Sequence, residues 1–328
     1  MIKSIDDVQT LGIIGLAKNT GKTTTLNAML KLYDKYKIGL TSIGLDGEDL
    51  DQVNFLPKPK IHVKKGMIVA TACACLEASD IHFEILEKTE LMTALGKVKI
   101  IEVLQDGTMV IAGPTTNQEL HILIELMKKY VDKVFVDGAF NRMTFANIKN
   151  IDAICLSTGA SVSPSMMHTI EKTRRIVESF NYPKTNWINE VPKQSLIIQT
   201  DQQDYNFYDK KLTTIHHVIQ HVNKSLKYVY IKGAITQRVI DYLIEYSVKD
   251  FVLICDDPTK LLFSDVYYQY IENLNIKIEV IHQCPLMFVT INPFSPVGKH
   301  YDADLFLSEL KKVIKIPVYN VEKEFNNV

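Results

Sequence analysis

Apolar and polar positions along the chain follow two different periods. Short continuous apolar runs, such as TLGIIG at 10–15 and KVFVDGA at 133–139, have the length and composition of buried strands. Elsewhere apolar residues recur at helical spacing, as in TTTLNAMLKLYDKY at 23–36. Because strands that alternate with helices indicate βαβ units, we predict an α/β fold with a mainly parallel sheet.

The same periods predict elements along the rest of the chain. Further strands are expected at 38–45, 152–160, 226–233, 250–257, 276–281 and 286–292. Helices are expected at 117–130 with Thr116 as cap, from the Ser163-Pro164 pair to about 180, between the first three C-terminal strands, and at 303–313. Strands and helices therefore alternate over most of the chain.

Changes in this pattern suggest how the chain is divided. Residues 1–190 are expected to form a first α/β domain, in which strand-like runs between 61 and 112 form an inserted antiparallel piece or a long edge. The more polar and irregular segment 191–224 indicates a connection. From 225 to 328 the α/β pattern resumes, which predicts a smaller C-terminal Rossmann-like unit; a continuation of the first sheet is the alternative.

Composition and charge narrow the class of protein. The chain has 328 residues, and its 37 basic residues nearly balance 38 acidic ones, so no net field favours nucleic acid or an anionic membrane. No apolar run is long enough to span a bilayer, and Asp6 and Asp7 precede the short N-terminal run. Five scattered cysteines fit a reducing compartment. We therefore expect a cytoplasmic protein without a nucleic-acid or membrane partner.

The stretch GLAKNTGKTTTLN at 15–27 follows a predicted strand and opens a predicted helix, which is the setting of a P-loop. In a P-loop, backbone N–H groups at a helix N-terminus hold phosphate oxygens, a lysine reaches the β- and γ-phosphates, and a threonine hydroxyl binds Mg²⁺. Gly21, Lys22 and Thr23 match these roles; a chance GKT at a helix start is the alternative. The residues expected to contact the nucleotide are Gly15, Lys18, Asn19, Thr20, Gly21, Lys22, Thr23, Thr24 and Asn292.

The spacing of this loop departs from the common GxxxxGK[ST] pattern. Five residues separate Gly15 from Gly21, and Leu16 occupies the place of the first glycine. The longer loop resembles the G-x5-GKT loop of dethiobiotin synthetase and its relatives, within the P-loop class that includes ParA-like ATPases. Lys18 is expected as a second cation near the phosphates, although its spacing differs from that of the signature lysine of ParA-like proteins.

Two acids that follow predicted strands are candidates for the metal site. Asp137 ends the run VFVD, where an aspartate binds Mg²⁺ directly or through water; an ordinary strand-end turn is the alternative. Asp46 is the first acid of LDGEDLD after the second strand, a location that faces the γ-phosphate in ParA-like and dethiobiotin-synthetase-like proteins. We expect Asp46 to position water or Mg²⁺, with a solvated acidic loop as the alternative. The predicted catalytic residues are thus Lys22, Asp46 and Asp137, and the predicted metal ligands are Thr23, Asp46 and Asp137.

Two loops after predicted strands also have suitable chemistry. IAGPTTNQEL at 111–120 leads into a helix whose amides point above the sheet. In INPFSPVGKH at 291–300, Asn292 is expected to read a base or substrate edge, and proline-stiffened turns are the alternative. The chain lacks the guanine-reading motif NKxD, so ATP is predicted rather than GTP.

Several stretches taken together resemble the P-loop subunit of the lysine 5,6-aminomutase reactivase of lysine-fermenting bacteria. They are GLAKNTGKTTTLN, TSIGLDGEDLD, PKPKIHVKKGMIVATA, VIAGPTTNQEL and VDGAFNR, and the specific resemblance covers roughly residues 10–180. The resemblance implies an ATPase that uses ATP and Mg²⁺ to release damaged cobalamin from the adenosylcobalamin-dependent aminomutase. It also implies two partners, the aminomutase and a second reactivase ATPase subunit. The cobalamin-binding pattern D-x-H-x-x-G is missing, so the chain is not expected to carry the cofactor itself.

Two other functions fit the nucleotide motif. A ligase similar to dethiobiotin synthetase would phosphorylate a small carboxylate or carbamate and then close or amidate it. Against this, Leu16, Ala17 and Lys18 replace the threonine and aspartate of that family's GTDT loop. A non-catalytic nucleotide-binding module that assembles partners is the third possibility.

Overall fold

The structure is a computed structural model, and it describes residues 5–43, 61–138, 151–208, 226–283, 285–296 and 298–324. The chain divides into two compact units. Among the described residues, the first unit contains those before residue 139, those from 151 to 174 and those after 284, and the second contains 175–283. No helix within the described ranges is long and apolar enough to cross a membrane.

The described residues form eighteen strands and eight α-helices. The strands are β1 (Thr10–Gly15), β2 (Ile38–Ser42), β3 (Ile61–Val63), β4 (Ile68–Ala72), β5 (Phe83–Thr93), β6 (Gly96–Val103), β7 (Gly107–Met109), β8 (Lys133–Asp137), β9 (Ala153–Gly159), β10 (Leu196–Thr200), β11 (Asp204–Phe207), β12 (Leu226–Ile231), β13 (Ile235–Thr236), β14 (Val252–Cys255), β15 (Leu261–Leu262), β16 (Lys277–Val280), β17 (Leu286–Asn292) and β18 (Val318–Asn320). The helices are α1 (Lys22–Leu32), α2 (Cys73–Glu77), α3 (Asn117–Met127), α4 (Met166–Ser179), α5 (Gln237–Glu245), α6 (Asp265–Asn273), α7 (Ala303–Val313) and α8 (Val321–Glu324).

A nine-stranded sheet forms the centre of the first unit, in the order β18-β17-β9-β1-β8-β2-β4-β6-β5. Neighbours are parallel from β18 to β4 and antiparallel at β4-β6 and β6-β5. Leu11, Leu40 and Phe135, on three of the central strands, are at most 1% exposed. Strands covered on both faces require continuous apolar runs, which is the pattern the sequence has. The predicted α/β class with a mainly parallel sheet is therefore confirmed.

The strand-rich region between 61 and 112 extends this sheet. β4 pairs in parallel with β2, and the long hairpin β5–β6 continues the sheet in antiparallel fashion to its edge. Gly96 closes the hairpin with φ +94°, a conformation that favours glycine. Of the two expectations for this region, the long edge is the one observed, while β3 and β7 form a separate two-stranded ribbon.

The last part of the chain returns to the first unit. β17 lies beside β9 in the nine-stranded sheet, and β18 lies beside β17. The single C-terminal unit predicted for 225–328 is therefore wrong for the residues after 284, and the alternative of a continued first sheet holds for them. A short apolar run specifies a buried strand but not the sheet that buries it.

The second unit has its own sheet and core. Its five strands are ordered β11-β10-β12-β14-β16, with β12, β14 and β16 parallel and β10 and β11 antiparallel. Ile240 and Leu243 of α5 and Leu253 of β14 belong to one buried apolar cluster. The unit begins at residue 175, before the predicted boundary, and the segment 191–224 contains β10 and β11.

Helix ends differ from the prediction where local hydrogen bonds compete with the helix. α1 ends at Leu32 instead of continuing to residue 36. α4 begins at Met166, because the Ser163 hydroxyl accepts the Ser165 N–H at 3.1 Å in a turn ahead of the helix. The predicted Thr116 cap of α3 is confirmed, since its hydroxyl accepts the Glu119 N–H at 3.2 Å.

Candidate functional site

The candidate site lies at the carboxyl edge of the nine-stranded sheet. β1 ends there and leads through residues 16–21, here called the 16–21 loop, into α1. β8 and β9 flank β1 in parallel, with Ile13 opposite Asp137 and Gly15 opposite Ser157. Because parallel strands end at the same edge, residues distant in sequence meet around this loop.

Two residues with left-handed backbone shape the 16–21 loop. Asn19 has φ +61° and Gly21 has φ +84°. A Cβ atom at Gly21 would lie 3.0 Å from the Asn292 Cβ, so glycine suits both the conformation and the space. The Thr20 hydroxyl is buried and donates to the Ala17 carbonyl at 3.0 Å, which closes the loop on itself.

The N-terminus of α1 is open for an anion. Gly21 is its N-cap and provides no side-chain cap, and the first hydrogen bond of the helix runs from the Thr25 N–H to the Gly21 carbonyl at 2.8 Å. The amides of Lys22, Thr23 and Thr24 precede that bond, so they have no acceptor within the helix. Unpaired amides and the positive end of the helix dipole favour a bound phosphate or carboxylate.

Lys22 and Asp137 form an ion pair beside this helix end. The Lys22 Nζ lies 2.9 Å from the Asp137 Oδ1, and the side chains are 25% and 11% exposed. The backbone holds Asp137 in place, since its carbonyl accepts the Ile43 N–H at 3.0 Å and the next amide, of Gly138, donates to the Ile13 carbonyl at 3.0 Å. The two side chains predicted to contact phosphate and metal are thus brought together.

Asn292 lies against the 16–21 loop from the end of β17. Its Nδ2 donates to the Asn19 carbonyl at 2.9 Å, and its Oδ1 accepts the Phe294 N–H at 3.0 Å. The Ser161 hydroxyl donates to the same Asn19 carbonyl at 3.3 Å. In this structure the Asn292 amide therefore supports the loop, whereas the sequence predicted that it reads a base or substrate edge.

Three buried hydroxyls below the loop were missed by sequence reasoning. Thr25 of α1, Ser157 of β9 and Thr290 of β17 form a triangle, with oxygen separations of 3.2 Å for Thr25–Ser157, 2.8 Å for Thr25–Thr290 and 2.9 Å for Ser157–Thr290. All three residues are at most 2% exposed. The hydroxyl triangle ties the first turn of α1 to two strands. No sequence signal predicted it, because its members lie in three separate segments.

The remaining predicted site residues differ in their surroundings. Lys18, Asn19 and Thr24 are exposed on the loop and first helical turn, and Thr23 is half-buried next to Lys22. Asp46 lies outside the described residues. Gly15 is buried, and a Cβ atom there would lie 2.6 Å from the Thr20 Oγ1, so a larger residue would displace the Thr20 side chain.

The loop after β7 lies at the same edge but is closed. The Ser42 hydroxyl donates to the Ile111 carbonyl at 2.9 Å and accepts the Gly113 N–H at 3.2 Å. A Cβ atom at Gly113 would lie 1.8 Å from the Ser42 carbonyl oxygen, so glycine is required. Because Thr116 already caps α3, this helix does not offer the fully open N-terminus that the sequence suggested.

Oxygen donors for a magnesium ion are present beside Lys22. Asp137 provides a carboxylate and Thr23 a hydroxyl, and Mg²⁺ commonly takes one or two protein oxygens together with phosphates and water. Within the described ranges, no group of three or more His, Cys, Asp or Glu side chains forms a metal cluster. A metal here would therefore depend on oxygens from a phosphate ligand.

A buried thiol lies in the same sheet, two residues before Ser157. Burial raises the pKa of Cys155, and a hydrogen bond with Thr290 opposes that rise. The thiol is therefore protonated and unreactive.

Comparisons with models of known protein families, with curated proteins and with solved structures found no match for this chain.

Proposed function

We propose that the 16–21 loop is a P-loop that binds Mg²⁺ and ATP, and that the chain hydrolyses the bound nucleotide. The observation that carries this proposal is the 2.9 Å Lys22–Asp137 ion pair next to the uncapped N-terminus of α1. An amine, a carboxylate, a hydroxyl and free amides at one helix end match what a P-loop needs. The missing guanine motif favours ATP.

In this proposal Lys22 and Asp137 exchange partners when nucleotide binds. The Lys22 ammonium would leave the Asp137 carboxylate for phosphate oxygens, and Asp137 and Thr23 would hold a Mg²⁺ ion through their oxygens. The chemistry that the ion would supply there is neutralisation of phosphate charge. The existing pair keeps both charges compensated and in position before binding, which lowers the cost of ordering them.

The wider role that we propose is reactivation of lysine 5,6-aminomutase. It rests on the resemblance of KNTGKTTTLN, IGLDGED and DGAFNR to the reactivase subunit. Binding and loss of the γ-phosphate would order and release loops at the carboxyl edge, and a partner would read that change. In this role the mutase is the partner that responds to the change, and its damaged cobalamin is then released.

The test is steady-state hydrolysis of Mg²⁺-ATP by the chain with lysine 5,6-aminomutase inactivated by turnover, with and without the second ATPase subunit. We expect hydrolysis to rise with the inactive mutase and mutase activity to return. Lys22→Ala should abolish both effects, whereas Lys31→Ala, an exposed lysine in the last turn of α1, should preserve them. ATP hydrolysis that is indifferent to the mutase contradicts the reactivase role, and phosphorylation of a small carboxylate would indicate a ligase instead.

A further inference from the structure

A lysine-rich pocket lies at the opposite edge of the nine-stranded sheet from the 16–21 loop. It is a cavity of about 270 Å³, formed where the loop after α1 and the loop after β3 come together. The charged residues of its lining are Asp34, Lys35, Lys37, Lys64 and Lys65. β2 starts at Ile38 and β4 starts directly after Met67, so this "amino-edge pocket" lies where two parallel strands begin.

The charges that line the pocket are strongly unequal. Four lysines face one acid, Asp34. The Lys35 Nζ lies 3.3 Å from the Asp6 Oδ1, and the Lys37 Nζ lies 3.8 Å from the Glu102 Oε2, both between exposed or half-exposed side chains. Such pairs are weak. Within the part of the chain that the structure describes, the Lys64 and Lys65 ammonium groups have no ion-pair partner.

The nearby acids hold the backbone of the two loops. The Asp132 carboxylate accepts the Lys37 N–H at 2.8 Å, and the Asp106 carboxylate accepts the Lys65 N–H at 2.8 Å. The Gly66 amide donates to the Val103 carbonyl at 2.8 Å. These bonds fix the segments that carry the lysines. The Asp132 and Asp106 carboxylates keep their charge but lie against backbone amides, so Lys64 and Lys65 carry the ammonium groups available to a ligand.

We propose that the amino-edge pocket binds a small anion with phosphate or carboxylate groups. An anion would receive charge-assisted hydrogen bonds from the Lys64 and Lys65 ammonium groups, which have no ion-pair partner among the described residues. The volume is near the lower end of the ~300–1,000 Å³ of ligand pockets, which suits a small ligand rather than a macromolecular surface. The pocket is independent of the proposed nucleotide site, since it lies at the other end of the parallel strands.

The test is calorimetric titration of the full chain with pyrophosphate and with citrate at low ionic strength. Lys22→Ala is used as the background, so that anion binding at the 16–21 loop is removed. We expect binding that weakens with added salt, because the contacts are between exposed charges. Lys64→Ala/Lys65→Ala on this background should weaken it at least about tenfold, through loss of two charge-assisted contacts.

Two further variants separate charge at the pocket from charge in general. Lys64→Arg/Lys65→Arg keeps both cations and should retain binding. Lys311→Ala/Lys312→Ala removes another adjacent lysine pair, at the end of α7, and should bind as the background does. Lys64 and Lys65 are exposed, so their replacement is expected to leave the circular dichroism spectrum unchanged. Absence of binding at millimolar anion, or equal binding by the Lys64→Ala/Lys65→Ala variant, overturns the proposal.

Discussion

Strand register determines which single side chains meet at the carboxyl edge of the sheet. Ile13 pairs with Asp137 across β1 and β8, which places the Asp137 carboxylate 2.9 Å from the Lys22 ammonium. The prediction that these two residues share a site came from the rule that acids at strand ends face the loop of a neighbouring strand. Asn292 was also expected at the site, since its loop follows a predicted strand, but its hydrogen bond to the Asn19 carbonyl was not, because its strand was assigned to another unit.

Replacing Asn292 tests its contact with the 16–21 loop. Asn292→Asp replaces the donor that bonds the Asn19 carbonyl with an acceptor, so the loop loses a hydrogen bond worth about 1 kcal/mol and gains a repulsion. We expect ATP affinity to fall by roughly fivefold to tenfold with little change in the unfolding transition. Calorimetric titration with Mg²⁺-ATP measures this, and unchanged affinity would show that Asn292 does not hold the loop.

Asp257 in the second unit makes stability depend on pH. The residue is 0% exposed; its Oδ1 accepts the Thr259 N–H at 2.9 Å, and its Oδ2 lies 3.6 Å from the Lys260 Nζ. Burial raises the pKa of Asp257 from 3.8 to about 6, a rise that Lys260 partly opposes. Between these values the folded state keeps a proton that the unfolded state has lost, so stability falls as pH rises through this window.

The Asp257→Asn variant replaces the titrating carboxyl with an amide that does not titrate. We expect the unfolding free energy of the variant minus that of the unchanged chain to rise by up to roughly 3 kcal/mol as the pH increases from 4 to 7. Urea titrations followed by Trp187 fluorescence report this, since Trp187 is the single tryptophan and its ring lies 5.4 Å from that of Tyr228 in the second unit. A difference between the two proteins that is constant with pH would contradict the assignment.

At the scale of elements, hydroxyl contacts decide how α1 is held. The hydroxyl triangle joins α1 to β9 and β17 below the 16–21 loop. All three elements were predicted, since each has a clear period, but a period identifies the buried face of an element and not its neighbour. The contact between them therefore had to be observed.

Two variants at Thr290 separate its hydroxyl from its shape. Thr290→Val leaves the Thr25 and Ser157 hydroxyls without one partner in a buried place, which should cost about 1–3 kcal/mol of unfolding free energy. Thr290→Ser keeps the hydroxyl and removes only a methyl group, at a cost of about 1 kcal/mol. Chemical denaturation followed by circular dichroism compares them. If the serine variant is as unstable as the valine variant, or less stable, the hydrogen bonds of the triangle do not matter.

At the scale of the whole molecule, the chain leaves the first unit and returns to it. Among the described residues, those from 175 to 283 form the second unit, and β17 then completes the first sheet beside β9. Sequence reasoning predicted the class of fold and most parallel strands of both sheets, because buried parallel strands leave strong apolar runs, but it missed β10, β11 and β18. It did not predict the return, since nothing in a run such as LMFVTIN specifies its partner strand.

Because the last strands complete the first sheet, a fragment without them is expected to be defective. The fragment 1–190 matches the domain expected from sequence, but it lacks β17, β18 and α7, and with them the Thr290 hydroxyl and Asn292. We expect it to be insoluble or to lose ATP affinity, because β9 becomes an uncovered edge and a buried face is exposed. Expression of the fragment beside the full chain tests this. A soluble fragment with full ATP affinity would show that the last strands are dispensable.

The most direct measurement of the central claim is calorimetric titration of the full chain with Mg²⁺-ATP, compared with Lys22→Ala and Lys31→Ala. Both lysines lie on α1, but Lys22 alone pairs with Asp137 at the candidate site. We expect binding by the unchanged chain and by Lys31→Ala. Lys22→Ala should bind about 100-fold more weakly, the effect of losing about 3 kcal/mol of charge-assisted contact. Equal ATP affinity in all three proteins, or no binding by the unchanged chain, would contradict a nucleotide site at the 16–21 loop.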